Sequence, residues 1–217
     1  MTTAKQVDLL MFDLDGTLAD TRADLMAAVN TALQQLALPP LSLEEVCRYV
    51  GDGVHALLSR ALGPDHLYAL EDGVAFFREY YRTHLLDQTH LYPGVRETLE
   101  HFGDKQKAVV TNKPLDFSIR ILEGLEIDTH FEMVLGGDST IARKPNPEPA
   151  HKVLTATGVD SRLAVMVGDS PVDIEMAKQA GIYSVAVTYG LRPAEELQAA
   201  GPDLLLDDVR ELQRYLI

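Results

Sequence analysis

Two aspartates, Asp13 and Asp15, stand one residue apart directly after an apolar run, in the stretch VDLLMFDLDGT. One aspartate after a strand commonly caps a helix or forms an Asx turn, but this explains a single carboxylate better than two. Two adjacent carboxylates can divide a reaction, because one attacks as a nucleophile while the other donates and accepts protons. Gly16 permits a close turn, and the hydroxyl of Thr17 can fix the direction of a carboxylate. The stretch therefore predicts nucleophilic and acid–base chemistry.

Crowded carboxylates are tolerable where a cation binds between them. Hard oxygen ligands, waters and a substrate phosphate are the surroundings that suit Mg²⁺. We therefore expect Mg²⁺ as the cofactor of this pair.

The elements that must position these residues are strands and helices in alternation. From residue 93 onward, helical patterns such as PLDFSIRILEGL and SPVDIEMAKQAG alternate with short apolar runs. Such alternation predicts an α/β fold with a Rossmann-like parallel sheet and helices on both of its faces. The apolar runs, taken as strands, occupy residues 7–12, 107–111, 131–137, 163–169, 183–187 and 202–208.

Polar residues follow three of these predicted strands. Asp13 and Asp15 end the first strand, Thr111 and Asn112 end another, and Asp169 ends a third. Ligands of open parallel sheets bind outside the carboxyl ends of the strands. We therefore expect these side chains to share one site.

One region breaks the alternation, because between Gly16 and about His90 the patterns are helical and no strand-like run occurs. We predict an all-helical cap over residues 17–89, inserted after the first strand and placed as a lid. Residues 1–16 and 90–217 form the predicted catalytic core.

Composition excludes several kinds of partner. The 217 residues carry a net charge of −14, so neither nucleic acid nor an anionic membrane is an expected partner. An anionic substrate would need a local positive site. A single cysteine, Cys47, and the lack of a signal peptide or apolar span predict a cytoplasmic protein. The oligomeric state stays open, since VAFFREYY fits a helical core or a subunit contact.

A family resemblance enters at FDLDGTLADT, which resembles the first motif of the haloacid dehalogenase superfamily, particularly of its aspartate-based phosphatases. Three further motifs of that family occur in order. They are Thr111 in VVTNKP, Lys144 in ARKPNPEP, and Asp169 with Asp173 in VGDSPVD.

The resemblance implies a role for each of these positions. Asp13 would attack phosphorus and form an aspartyl phosphate, and Asp15 would be the general acid and base. Thr111 and Lys144 would hold the phosphoryl group. The resemblance also assigns Mg²⁺ to a carboxylate oxygen of Asp13, the backbone carbonyl of Asp15 and a carboxylate oxygen of Asp169, with Asp173 and Thr17 in support.

Within the superfamily the chain is most similar to bacterial phosphoglycolate phosphatases, through motifs such as RYVGDGVHALLSRALG and RKPNPEP. The resemblance implies an enzyme of carbohydrate metabolism that hydrolyses 2-phosphoglycolate to glycolate and phosphate. Alternatives are a sugar-phosphate phosphatase, a hexose-phosphate mutase or an inactive module that binds a phosphorylated metabolite. The implied substrate contacts are Gly51, Asp52 and Gly53 in the cap, together with Arg22, Thr111, Asn112, Lys113 and Lys144.

Overall fold

The computed structural model describes residues 4–217, in which a parallel sheet is flanked by helices. The strands are β1 (Leu9–Phe12), β2 (Ala19–Asp20), β3 (His90–Leu91), β4 (Gln106–Val110), β5 (Met133–Leu135), β6 (Ala164–Gly168), β7 (Tyr183–Val187) and β8 (Leu204–Leu206). Six of them form one sheet in the order β5-β4-β1-β6-β7-β8, and every neighbouring pair is parallel. Each of the six predicted apolar runs overlaps one of these strands.

Both faces of the sheet are buried, which explains why the strands are continuously apolar in sequence. In β1, Leu10 and Phe12 pack into one apolar cluster, whereas Leu9 and Met11 pack into another. The prediction of a Rossmann-like α/β fold with covered faces is confirmed.

Helices account for most of the remaining chain. None of the helices in residues 4–217 is long and apolar enough to cross a membrane. The helices are α1 (Arg22–Gln35), α2 (Leu43–Tyr49), α3 (Val54–Leu62), α4 (Leu70–His84), α5 (Val95–His101), α6 (Leu115–Gly124), α7 (Glu148–Thr157), α8 (Pro171–Ala180), α9 (Ala194–Ala200) and α10 (Leu212–Tyr215).

Helices α1 to α4, here called the helical insertion, follow β1 and pack on one another, with α1 lying along α4. The expectation that no strand occurs between Gly16 and about His90 is wrong in one detail. Strand β2 pairs antiparallel with β3, so that Ala19 faces Leu91. Strands of two residues are too short to leave an alternating pattern in the sequence. The pair brackets the helical insertion, and the cap boundaries of 17–89 stay a prediction.

The sheet order places three strand ends side by side. Strand β1 lies between β4 and β6, and Phe12 is in register with Val109 on one side and Val167 on the other. The residues that follow these strands therefore emerge at one edge of the sheet.

Candidate active site

Asp13 follows β1 with one of its carboxylate oxygens held in place. Its Oδ1 accepts the N–H of Leu14 at 2.7 Å and lies 2.9 Å from the Nζ of Lys144. Within residues 4–217 no hydrogen bond or ion pair engages Oδ2. One oxygen of Asp13 is thus fixed and the other is available to a ligand.

Lys144 reaches Asp13 from the loop before α7. The backbone N–H of Lys144 donates to Oδ1 of Asn112 at 3.0 Å, and its Nζ donates to Oδ1 of Asp173 at 2.6 Å. Burial lowers the pKa of Lys144, but the carboxylates of Asp13 and Asp173 outweigh burial and hold it above its ordinary value. Lys144 is therefore a buried ammonium between two carboxylates.

Asp173 lies in the first turn of α8 and forms a capping box there. Its Oδ2 accepts the backbone N–H of Ser170 at 3.1 Å and the hydroxyl of Ser170 at 2.8 Å. Both oxygens of Asp173 are thus engaged, one by the helix N-terminus and the other by Lys144.

Asp169 follows β6 and points toward the turn after β1. Its Oδ2 accepts the backbone N–H of Leu191 at 2.6 Å, and its Oδ1 lies 3.4 Å from the hydroxyl of Thr17. A Cβ at Gly16, where φ is +87°, would collide with this carboxylate. Glycine is required there both for the left-handed backbone and for the close approach of Asp169.

The side chain of Asp15 is paired with a second buried lysine. The Nζ of Lys113 lies 2.9 Å from Oδ1 of Asp15, which also accepts the hydroxyl of Thr21 at 2.7 Å. The same ammonium donates to the hydroxyl of Tyr81 at 2.9 Å and lies 4.7 Å from the centre of that ring. Burial lowers the pKa of Lys113, but Asp15 outweighs burial and raises it, so Lys113 is charged.

The site has an excess of negative charge. Burial raises the pKa of Asp13 from 3.8 to about 6, even against Lys144, and burial and Asp13 raise that of Asp169 well above its ordinary value. Four carboxylates, those of residues 13, 15, 169 and 173, face two ammonium groups, so two negative charges are left when all are ionised.

A divalent cation fits this excess of charge. Asp13, Asp169 and Asp173 each offer an oxygen, and these atoms lie within 4.8 Å of one another. Asp173 is ion-paired with Lys144 and caps its helix, whereas Asp169 accepts only from neutral donors and Oδ2 of Asp13 has no partner within residues 4–217. Asp13 and Asp169 are therefore the carboxylates better placed to bind a metal.

An open pocket begins at this edge of the sheet and runs beneath the helical insertion. It holds about 600 Å³ of space, counted out to the solvent. Its reactive end carries Asp13, Asp15, Thr111 and Asp169, and its wall is mostly apolar. The apolar side chains of the wall are those of Leu25, Val50, Val54, Leu57, Phe77, Pro114, Phe117 and Leu191.

A sequence profile of the family described as haloacid dehalogenase-like hydrolase matches residues 10–187. The chain belongs to this family. The phosphoglycolate phosphatase of Pseudomonas putida is 39% identical over 94% of this chain and 78% of that protein. The phosphoglycolate phosphatase of Vibrio parahaemolyticus is also 39% identical, over 97% of this chain and 96% of that protein.

Solved structures agree with this assignment. A crystal structure titled a predicted phosphoglycolate phosphatase from Haemophilus somnus matches with a TM-score of 0.91 and 33% identity, covering 97% of this chain and 98% of that one. A haloacid dehalogenase-like protein from Streptococcus pneumoniae, at 23% identity, shares the fold with a TM-score of 0.87 and covers 96% of this chain and 98% of its own. The prediction of a phosphoric monoester hydrolase similar to bacterial phosphoglycolate phosphatases is confirmed.

The fold of this hydrolase brings most of the predicted site residues together. Thr111 lines the pocket, and its Oγ1 accepts the backbone N–H of Lys113 at 3.3 Å. Of the predicted contacts in the helical insertion, Gly51 and Gly53 line the pocket. The other predicted residues at the site are Asp13, Asp15, Thr17, Asn112, Lys113, Lys144, Asp169 and Asp173.

Two predicted substrate contacts lie outside the pocket in this hydrolase. The Nε of Arg22 donates to Asp20 at 2.9 Å, at the base of the helical insertion. The carboxylate of Asp52 is paired with Arg60 in α3. Each charge is satisfied by a partner close in sequence.

Three polar residues of the pocket, Tyr81, Ser170 and Arg192, were not predicted from the sequence. Tyr81 belongs to the stretch VAFFREYY, whose aromatic character resembles that of ordinary helical core. Arg192 follows β7, which neighbours β6, so its place after a strand end was the signal that would have found it.

Asp169→Asn is expected to stabilise the metal-free hydrolase at pH 7.5 by removing one buried charge. Folding raises the pKa values of Asp13 and Asp169. The contribution of these two carboxyl groups to the free energy of unfolding is therefore complete below about pH 4 and is lost as the pH rises through about 6 and above. Chemical unfolding in EDTA should show the gap between variant and wild type widening from pH 4 to 7.5. Carboxylates with lowered pKa values, such as Asp208, are common to both proteins and cancel.

The same two proteins should also respond differently to added Mg²⁺. At ten times its Kd, Mg²⁺ should stabilise the wild type by about 1.4 kcal/mol and Asp169→Asn far less. Superimposable pH curves and equal Mg²⁺ responses for the two proteins would show that Asp169 belongs to no crowded metal-binding cluster.

Proposed function

We propose that the protein hydrolyses small phosphate monoesters with Mg²⁺ as cofactor, and that its substrate is 2-phosphoglycolate. The observation that carries the phosphatase assignment is the arrangement of Asp13, which has one oxygen fixed beside Lys144 at 2.9 Å and the other available in the pocket. A nucleophile held next to an ammonium is the arrangement that phosphoryl transfer requires.

The reaction proceeds in two steps. Asp15 begins the cycle as the carboxylic acid. Oδ2 of Asp13 attacks phosphorus, the bond from phosphorus to the ester oxygen breaks, and the leaving oxygen takes the proton of Asp15. Asp15 then takes a proton from water as that water attacks phosphorus, and the bond from phosphorus to Asp13 breaks, which releases phosphate and restores Asp13. Lys144 and the hydroxyl of Thr111 stabilise the charge of the transferring group.

Mg²⁺ would be held by the carboxylates of Asp13 and Asp169 and by the backbone carbonyl of Asp15. When bound, it supplies two positive charges against the phosphoryl oxygens and the excess carboxylates. The raised pKa values of Asp13 and Asp169 support this role, since they report the charge that the cation would neutralise.

The choice of 2-phosphoglycolate is supported by two features besides the names of the relatives. This substrate has two anionic ends, and the pocket carries a second buried ammonium, Lys113, beyond that of Lys144. Lys113 is left without an anionic partner once Asp15 holds the proton that it donates. Helix α3 also begins at Val54 beside the pocket, with no side-chain cap on its N-terminus. Both features favour a carboxylate at the second end of the substrate.

The apolar wall weighs against a sugar phosphate, whether the enzyme is a phosphatase or a mutase. Side chains such as Leu57, Phe77 and Phe117 offer no hydrogen bonds to the hydroxyl groups of a sugar. Burying hydroxyl groups without partners is costly, so a hexose would bind poorly there.

Free-phosphate release from a panel of esters tests this proposal. The panel contains 2-phosphoglycolate, ethyl phosphate, glucose 6-phosphate, ribose 5-phosphate and a nucleotide, each with Mg²⁺ and with EDTA. We expect kcat/KM for 2-phosphoglycolate to exceed the others by about 100-fold, which is about 2.7 kcal/mol of discrimination, and to vanish in EDTA. A flat metal-dependent profile would refute this substrate, and isomerised sugar phosphate without net release would indicate a mutase.

The proposed setting follows from the same chemistry. A small phosphorylated metabolite is the partner, since the net charge of −14 disfavours nucleic acid. The free thiol of Cys47 is consistent with the cytoplasm.

A further inference from the structure

Four consecutive backbone carbonyls at the end of α2, those of residues 48–51, accept hydrogen bonds from side chains. The last carbonyls of a helix have no partner within the helix and must find one elsewhere. Arg60, which is in the helical insertion itself, donates Nη1 to the carbonyl of Tyr49 at 2.9 Å.

The other three carbonyls are bound by residues of the sheet edge. Arg192 donates Nη1 to the carbonyl of Arg48 at 2.9 Å and Nη2 to that of Val50 at 2.6 Å. Asn112 donates Nδ2 to the carbonyl of Gly51 at 2.9 Å. The guanidinium group of Arg192 thus donates two hydrogen bonds to the C-terminus of α2. The partial negative charge of a helix C-terminus and the forked geometry of the group both favour this contact.

Arg192 and Asn112 are each linked to a reactive carboxylate through one neighbouring residue. Arg192 directly follows Leu191, whose backbone N–H binds the carboxylate of Asp169 at 2.6 Å. Asn112 binds the backbone N–H and the carbonyl of Lys144, each at 3.0 Å. The segment after β7 therefore touches the metal-binding carboxylate and the helical insertion at once.

We propose that Arg192 is a positioning residue that latches the end of α2 over the pocket and links this closure to Asp169. With the latch made, Gly51 and Gly53 lie against the sheet edge and form one wall of the pocket. A Cβ at Gly53 would lie 3.2 Å from the backbone carbonyl oxygen of Asn112, so the loop lies close against the sheet edge. The catalytic consequence of the latch rests on the proposed function, whereas the closure itself does not.

Hydrogen–deuterium exchange on the full chain tests the closure without any substrate. Arg192→Met is compared with Arg60→Met, a control that removes a carbonyl contact from the same loop but from within the helical insertion. For Arg192→Met we expect about tenfold faster exchange in residues 48–54 and also in residues 111–115 and 188–193 of the sheet edge. Arg60→Met should raise exchange in residues 48–54 alone.

Kinetics on two esters separates a latch from a direct substrate contact. Because charged hydrogen bonds are lost, Arg192→Met should lower kcat/KM by about 10- to 100-fold and by the same factor for 2-phosphoglycolate and ethyl phosphate. Arg60→Met should lower both less than about threefold. A loss confined to 2-phosphoglycolate, or restored by Arg192→Lys without recovery of exchange protection, would overturn the latch and make Arg192 a ligand of the substrate carboxylate.

The two proposals fail in different ways. If the sheet edge exchanges in Arg192→Met as it does in the wild type, the latch is refuted, whatever the substrate. If the wild type does not hydrolyse 2-phosphoglycolate but the exchange pattern is as expected, the latch stands and the proposed substrate falls.

Discussion

Asp13→Asn is expected to lower kcat by about 10⁴-fold or more, since an amide cannot attack phosphorus. The variant should remain folded, because an amide oxygen can still accept from the N–H of Leu14 and from Lys144. It should also unfold no more easily than the wild type in EDTA at pH 7.5, because it removes a charge that burial disfavours. Phosphate release and chemical unfolding measure the two effects.

The matched control for this variant is Asp116→Asn, which makes the same change at an exposed position in α6. We expect its activity to be that of the wild type. Substantial turnover by Asp13→Asn, or a large loss of stability together with the loss of activity, would contradict the role given to Asp13.

Lys144→Met is expected to be both inactive and unstable. Its ammonium lies 2.9 Å from Asp13 and 2.6 Å from Asp173, so its loss leaves two buried carboxylates without their cation. Removing one partner of a buried ion pair costs about 3–5 kcal/mol of folding free energy. The loss of a charge that stabilises the transferring phosphoryl group should lower kcat by about 10³-fold. Lys152→Met, at an exposed lysine of α7, should cost at most about 1 kcal/mol and keep full activity.

A double variant identifies the cause of that instability. Lys144→Met combined with Asp173→Asn removes both members of the Lys144–Asp173 pair and leaves only Asp13 without its cation. The double variant should therefore be more stable than Lys144→Met alone while remaining inactive. If the two stability losses simply add, the buried pair is not what Lys144 contributes to the fold.

The sheet and its reactive edge were predictable because they depend on local sequence. Continuous apolar runs locate parallel strands, and the residue after each strand must emerge at the carboxyl edge. Asp13, Thr111 and Asp169 follow from that rule, and the order β4-β1-β6 places them side by side. The family motif added Lys144, which no strand end marks.

The remaining features depend on packing between distant segments. Lys113 meets Asp15 across 98 residues of sequence and Tyr81 across 32, and no local pattern indicates either contact. Conversely, Arg22 and Asp52 attract attention as charged residues near the motifs, yet each is paired with a local partner. Sequence shows which groups are charged, but the fold decides where each charge is neutralised.

The short strands β2 and β3 show the same limit. Two residues carry no periodicity, so the pairing of Ala19 with Leu91 is invisible in sequence. It nevertheless joins the segment that leads into the helical insertion to the segment that leads out of it.

Nucleophilic attack by Asp13 is tested most directly by trapping the phosphorylated enzyme. The wild type is mixed with 2-phosphoglycolate and Mg²⁺, quenched in acid within the first turnover, treated with borohydride and digested for mass spectrometry. Because borohydride reduces an aspartyl phosphate to homoserine, we expect homoserine at position 13 and no such change in a sample quenched without substrate. Rapid phosphate release with unmodified Asp13 at every quench time, or homoserine at Asp15 or Asp169 instead, would contradict nucleophilic attack by Asp13.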